Sequence, residues 1–166
     1  ENIEDALERG TQMHLLLEHL PMAAKERRHD LGLQLLQTDD PTLVDEVIAL
    51  IEKPDLAWLW GTEALNEVVI SADIPGLGRI HGAIDRLLVG ADTITAIDYK
   101  SNRLVPETPE QTPLGLQRQL AAYDHALRDI YPDHDIKTAI LWTHTGTLTV
   151  LSPQHLHEAL NGLTAS

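Results

Sequence analysis

Gly82-Ala83-Ile84-Asp85-Arg86 and, thirteen residues on from Asp85, Ile97-Asp98-Tyr99-Lys100-Ser101 decide how this chain is read. Residues 78–89 and 93–100 carry apolar and β-branched side chains at alternate places, and Gly90-Ala91-Asp92 between them makes a tight turn, so the two runs predict a β-hairpin. Two apart on a strand, Asp98 and Lys100 share one face and Tyr99 takes the other. An acid at Asp85, between Ile84 and Leu87, is costly in an apolar strand unless it is paired or metal-bound. Carboxylates at the ends of neighbouring strands suit a hard cation. A lysine beside them suits phosphodiester chemistry, orienting an attacking water or offsetting charge on the phosphate. Taken singly, each has a plainer reading: Asp85 in an ion pair with Arg86 or Lys100, Asp98 as a strand-end cap, Lys100 as a solvated strand terminus.

Outward from the hairpin, residues 67–70 read as a further strand after Gly61. The preceding segment reads as helices. Ile3, Leu7, Met13, Leu16, Leu17 and Leu20 recur at three- and four-residue steps up to Pro21, with a break expected at Gly10-Thr11. Residues 23–37 predict a second helix with Leu31, Leu35 and Leu36 inward. Asp40-Pro41 reads as an N-cap followed by proline at the first helical position, ahead of a stripe of Val44, Val47, Ile48 and Ile51. Residues 55–60 add a short turn. Beyond the hairpin, a loop over 106–113 leads to a helix marked by Leu116, Leu120, Tyr123, Ala126, Leu127 and Ile130. Strands over 136–143 and 148–151 follow, and Ser152-Pro153 caps a last helix to about Asn161. This order implies an α/β fold, a mixed β-sheet flanked by helices with a right-handed crossover and an N-terminal helical segment.

At 166 residues and 43% hydrophobic content, one domain is expected over 1–166, mainly helical over 1–62, with the core sheet and helix over 63–151 and a C-terminal helix over 152–166. A start at Glu1, already in helical pattern, suggests a fragment of a longer protein. With no cysteine there are no disulfides, zinc–thiolate sites or iron–sulfur clusters. No apolar run approaches a membrane span, so a cytoplasmic domain is expected. The 26 acidic against 12 basic residues give a net charge of −14, unlike the basic face of a free-standing nucleic-acid binder. If nucleic acid is the substrate, other parts of a longer protein must deliver it.

Gln119 and Tyr123 stand at i, i+4 on one helical face, placed to hold a phosphate or base. His14 shares a face of the first helix with Gly10 and Leu17, where a histidine is either a satisfied core residue or a ligand. Gly76 to Gly82 resembles a dinucleotide loop, but its last glycine is one place late and a strand follows. The nine histidines show no zinc-binding spacing, and no Gly-x-Ser-x-Gly elbow occurs.

Gly10-Thr11-Gln12-Met13-His14, Gly82-Ala83-Ile84-Asp85-Arg86-Leu87, Ile97-Asp98-Tyr99-Lys100-Ser101 and Gln119-Leu120-Ala121-Ala122-Tyr123 resemble, in order, the motifs of the RecB-type nuclease domains of the PD-(D/E)xK superfamily. Within it the chain looks most like the C-terminal nuclease domain of the AddA family of helicase–nucleases in double-strand break repair. The resemblance implies a restriction-endonuclease-like fold and Mg²⁺-dependent hydrolysis of DNA, with one or two ions and Mn²⁺ as a substitute. It implies His14, Asp85, Asp98 and the main-chain carbonyl of Tyr99 as metal ligands and Lys100 as the catalytic lysine. Gln119 and Tyr123 become the glutamine–tyrosine pair that helps position DNA, with Glu67 a further supporting candidate. Ile84 stands where the superfamily's name has proline, as is common in RecB-like members. Implied partners are DNA, helicase domains of the same parent chain and an AddB-like subunit; no membrane is involved, and the place of action is the nucleoid. The alternatives are a non-catalytic DNA-gripping or subunit-docking module, or a stand-alone RecB-like exonuclease.

Overall fold

A computed structural model describes residues 2–61 and 63–164. Glu1, Thr62, Ala165 and Ser166, at the expected domain ends and helical boundary, lie outside the described residues. The chain divides into two compact units: Glu1–Thr62 with Tyr99–Arg103 and Trp142–Thr147, and Glu63–Asp98 with Leu104–Leu141 and Leu148–Ser166.

The first unit holds α1 (Ile3–His19), a 3₁₀ turn (Lys25–Arg27), α2 (Arg28–Leu36), α3 (Thr42–Glu52) and a 3₁₀ segment (Pro54–Trp60). Asn2 opens α1 by accepting the Asp5 amide at 2.8 Å, and Glu4 and Asp5 complement the positive end of the helix. Its buried stripe is Met13, Leu16 and Leu17, continued by Leu20, whereas Ile3 and Leu7 are 80% and 67% exposed and do not belong to it. The break expected at Gly10-Thr11 does not occur. A single glycine costs a capped, packed helix only about 1 kcal/mol, and here it gives room to a neighbour: a Cβ on Gly10 would stand 3.3 Å from Ser101 Oγ.

In α2 the expected inward leucines, Leu31, Leu35 and Leu36, are half-buried, and Gly32 is the buried residue. A Cβ there would fall 2.6 Å from Val44 Cγ1, so α2 and α3 meet through the missing side chain. Gln37 ends the helix at φ 51°. Asp40 acts one place earlier than expected: its Oδ1 accepts from the amide of Thr42 at 3.0 Å and the hydroxyl at 2.6 Å, and Pro41 precedes the first helical residue. The buried face of α3 is Val44, Val47, Leu50 and Ile51; Leu50 takes the place expected for Ile48.

The sheet runs β1 (Ala64–Ile74), β2 (Gly78–Val89), β3 (Thr93–Lys100), β4 (Asp135–Trp142), β5 (Thr147–Leu151), in that spatial order. β1–β2 and β2–β3 are antiparallel. The Asp135 amide bonds to the Asp92 carbonyl and the Thr143 amide to the Lys100 carbonyl, so both ends of β4 keep the same offset from β3 and the two run parallel. The connection between them carries α4 (Leu114–Ile130), as the helix between the strands required. The mixed sheet with flanking helices is the α/β architecture expected.

In the second unit α4 packs on β1, β2 and α5 (Pro153–Thr164), burying Leu120, Ala121, Tyr123, Ala126 and Leu127. Ile130, read as part of that stripe, is 56% exposed. The sheet contributes Ile84, Leu87, Ile94, Ile97 and Ile140 to the core, each worth roughly 1.5–3 kcal/mol when fully buried. Ser152 Oγ accepts the His155 amide at 3.1 Å, the cap expected for α5.

Candidate functional site

β2 and β3 pair with Arg86 opposite Ile97, which brings Asp85, one residue before Arg86, beside Asp98, one residue after Ile97. The pleat then turns both carboxylates to the face opposite that of Arg86 and Ile97. Asp98 is 3% exposed and Asp85 half-buried. Like charges so placed repel in a low-dielectric setting and favour a cation. Arg86, also buried, gives Nη1 to Asn66 Oδ1 on β1 at 2.9 Å.

On β1 the registered pairs Asn66–Arg86 and Val68–Ile84 leave Glu67 and Asp85 as the intervening residues of the two strands. Glu67 has φ 49°, so the strand departs from extended geometry at this acid. Glu67 is exposed.

α4 brings Tyr123 onto the same strands. Its hydroxyl donates to the Ala83 carbonyl at 2.9 Å and accepts Nε2 of Gln119 at 2.8 Å. Gly82 makes this possible: a Cβ there would lie 3.0 Å from Tyr123 Cε1 and 3.4 Å from its hydroxyl oxygen. Burial pushes the phenol above its ordinary pKa, the Gln119 hydrogen bond opposes that, and the charges of Asp98, Asp85 and Glu67 push it further up. The three acids thus act on one hydroxyl. Sequence reasoning gave Gly82 no separate role; a glycine inside a strand was the available signal of close backbone approach.

In the first unit, His14 Nδ1 lies 2.8 Å from the Gly10 carbonyl. Because that oxygen only accepts, Nδ1 carries a proton, which in a neutral ring puts the lone pair on Nε2, the tautomer of a metal-binding histidine. The His14 and Tyr99 rings lie 5.7 Å apart at 59°, and the Trp60 ring lies 6.3 Å from Tyr99, tilted by 41°. The Lys100 carbonyl accepts from the Thr143 amide at 2.9 Å and the Thr143 hydroxyl at 3.2 Å. The Ser101 carbonyl accepts Nη2 of Arg9 at 2.9 Å.

Asp85, Asp98, Gln119, Tyr123 and Glu67 therefore fall in the second unit, and His14, Tyr99 and Lys100 in the first, with Asp98, Tyr99 and Lys100 consecutive on β3. Among the described residues no group of three or more His, Cys, Asp or Glu is arranged to hold a metal ion. In donor chemistry the two carboxylates of the second unit, Asp85 and Asp98, are the hard oxygens Mg²⁺ prefers. Among the described residues no helix is long and apolar enough to cross a membrane.

A model of the PD-(D/E)XK nuclease superfamily matches residues 1–159, and the chain belongs to that superfamily. Its mixed sheet is consistent with the restriction-endonuclease-like fold, and members typically are nucleases using divalent metals such as Mg²⁺. Nothing among curated proteins matches the chain significantly. A solved structure described as the crystal structure of SSO0001 is similar at 12% identity and a TM-score of 0.38, over 99% of this chain and 87% of that one.

Proposed function

We propose that this chain is a Mg²⁺-dependent DNA nuclease domain of the RecB type, serving as the nuclease part of an AddA-like helicase–nuclease in double-strand break repair and recombination. The observation that carries the reading is the convergence on Tyr123: Gln119, the Ala83 backbone and the charges of Asp98, Asp85 and Glu67 all act on one hydroxyl. Four motifs in family order support it.

Asp85 and Asp98 would hold the ion, with the Tyr99 carbonyl and His14 as the further ligands the family motifs imply. When bound, Mg²⁺ would supply Lewis-acid chemistry, lowering the pKa of water and offsetting charge on the scissile phosphate. Lys100 orients the attacking water and stabilises charge as the phosphorus–oxygen bond breaks. Gln119 and Tyr123 orient the strand. With a net charge of −14 the chain repels DNA at a distance, so helicase domains of the parent chain and an AddB-like subunit deliver it, in the cytoplasm at the nucleoid.

Calorimetric titration with Mg²⁺ separates this reading from a binding-only module. Saturable uptake that disappears in Asp85→Ala is expected; the same heat in wild type and variant would count against it.

A further inference from the structure

We infer that Arg9 and Thr143 are positioning residues that latch two successive main-chain carbonyls, those of Ser101 and Lys100, and so aim the Lys100 ammonium. The inference rests on the nuclease reading for its catalytic consequence and on geometry alone for the latch. Lys100 is the last residue before the chain leaves regular structure: β3 ends there, and no helix or strand resumes until the turn at Pro109. A side chain on a strand's last residue inherits whatever freedom its backbone has, and a reacting ammonium misplaced by about 1 Å forfeits up to about a hundred-fold in rate.

The structure restrains that backbone from two directions. On one side Thr143, 2% exposed, gives both its amide and its hydroxyl to the Lys100 carbonyl, at 2.9 and 3.2 Å. From the other, half-buried Arg9 of α1 gives Nη2 to the next carbonyl, that of Ser101, at 2.9 Å. A hydrogen bond from a charged donor is the stronger kind, and partial burial protects it from competing water. Gly10 brings α1 close to the same segment: a Cβ there would stand 3.3 Å from Ser101 Oγ. All five residues, Arg9, Gly10, Lys100, Ser101 and Thr143, lie in the first unit. Arg9 is one of only 12 basic residues in an acidic chain, and one arm of its guanidinium is committed to a main-chain carbonyl. A residue recruited simply to attract DNA would present its charge outward.

The test uses the full chain in its parent protein, with Arg9→Met, Arg9→Lys and Thr143→Val. Methionine keeps the apolar stem of Arg9 but no donor, lysine keeps one donor, and valine removes only the hydroxyl of Thr143. Hydrogen exchange of residues 99–103 reads the latch without reference to activity. Exchange is expected to accelerate at least about ten-fold in Arg9→Met, less in Arg9→Lys and Thr143→Val, with α1 unchanged. Cleavage of end-labelled DNA reads the consequence: kcat falls about ten- to a hundred-fold in Arg9→Met, KM stays put, and Arg9→Lys recovers part of the loss. Unchanged exchange over 99–103 overturns the latch. A raised KM with kcat preserved overturns the positioning role and makes Arg9 a DNA contact. Accelerated exchange in a wild-type protein background that cleaves no DNA upholds the latch and overturns the nuclease reading alone.

Discussion

The Tyr123 hydroxyl donates to the Ala83 carbonyl at 2.9 Å, joining α4 to β2 two residues before Asp85. The same oxygen accepts from Gln119 and is buried with the ring, which is 4% exposed. Tyr123→Phe removes one donor and one acceptor and leaves two polar groups to find new partners. A loss of about 1–3 kcal/mol is expected, measured as a lower urea midpoint with unchanged slope. An unaltered midpoint would show that the bond contributes nothing to holding α4 on the sheet.

Two glycines make a matched pair. At Gly82 an added Cβ meets the Tyr123 ring at 3.0 Å, and that ring is fixed by its own hydrogen bonds. Gly82→Ala therefore displaces Tyr123 and is expected to cost about 1–3 kcal/mol. At Gly10 the Cβ meets Ser101 Oγ at 3.3 Å, the tip of a small side chain that can rotate. Gly10→Ala also gains helix propensity, about 1 kcal/mol, so it comes out neutral or stabilising. Thermal unfolding of both variants checks the contrast, and equal effects would contradict it.

Gly32→Ala drives a methyl to within 2.6 Å of Val44 Cγ1 and should destabilise the first unit by about 1–3 kcal/mol. Shortening the opposing side chain as well, in Gly32→Ala with Val44→Ala, should recover part of that loss. If the double variant is simply the sum of the two single ones, α2 and α3 do not meet at this pair.

Tyr123 also makes stability depend on pH on the alkaline side. Its phenol is held above the ordinary value of 10.0 by burial, against the Gln119 bond, and by the charges of Asp98, Asp85 and Glu67. In the unfolded chain it loses its proton at the ordinary value. The stability carried by the neutral, buried phenol is therefore complete below about pH 10 and is lost as pH rises through the folded-state value. Urea midpoints of wild type and Tyr123→Phe should converge above that pH; curves that stay parallel would remove Tyr123 as the cause.

What the sequence disclosed followed from local rules. Alternation and Gly90-Ala91-Asp92 found the β2–β3 hairpin, and the i, i+4 spacing of Gln119 and Tyr123 foretold a bond the structure makes at 2.8 Å. Errors arose where tertiary packing overrode local preference. Gly10 looked like a helix break because its neighbour, Ser101, lies far along the chain; and nothing local to α2, whose Leu31, Leu35 and Leu36 come out half-buried, reveals that α3 approaches through Gly32. Leu7 and Ile3 fit the helical stripe by spacing yet remain exposed. The alignment of Asp85 beside Asp98, and the contact of Tyr123 with Gly82 and Ala83, depend on register and on helix placement, which no short window of sequence contains.

Cleavage of end-labelled DNA by the protein carrying this chain, with and without Mg²⁺ and beside Asp98→Asn, tests the central claim most directly. Asparagine keeps the size of the buried side chain and removes its charge. The account predicts cleavage that requires Mg²⁺ and falls by at least about a hundred-fold in the folded variant. Cleavage at the wild-type rate by Asp98→Asn, or in the presence of a chelator, would contradict it.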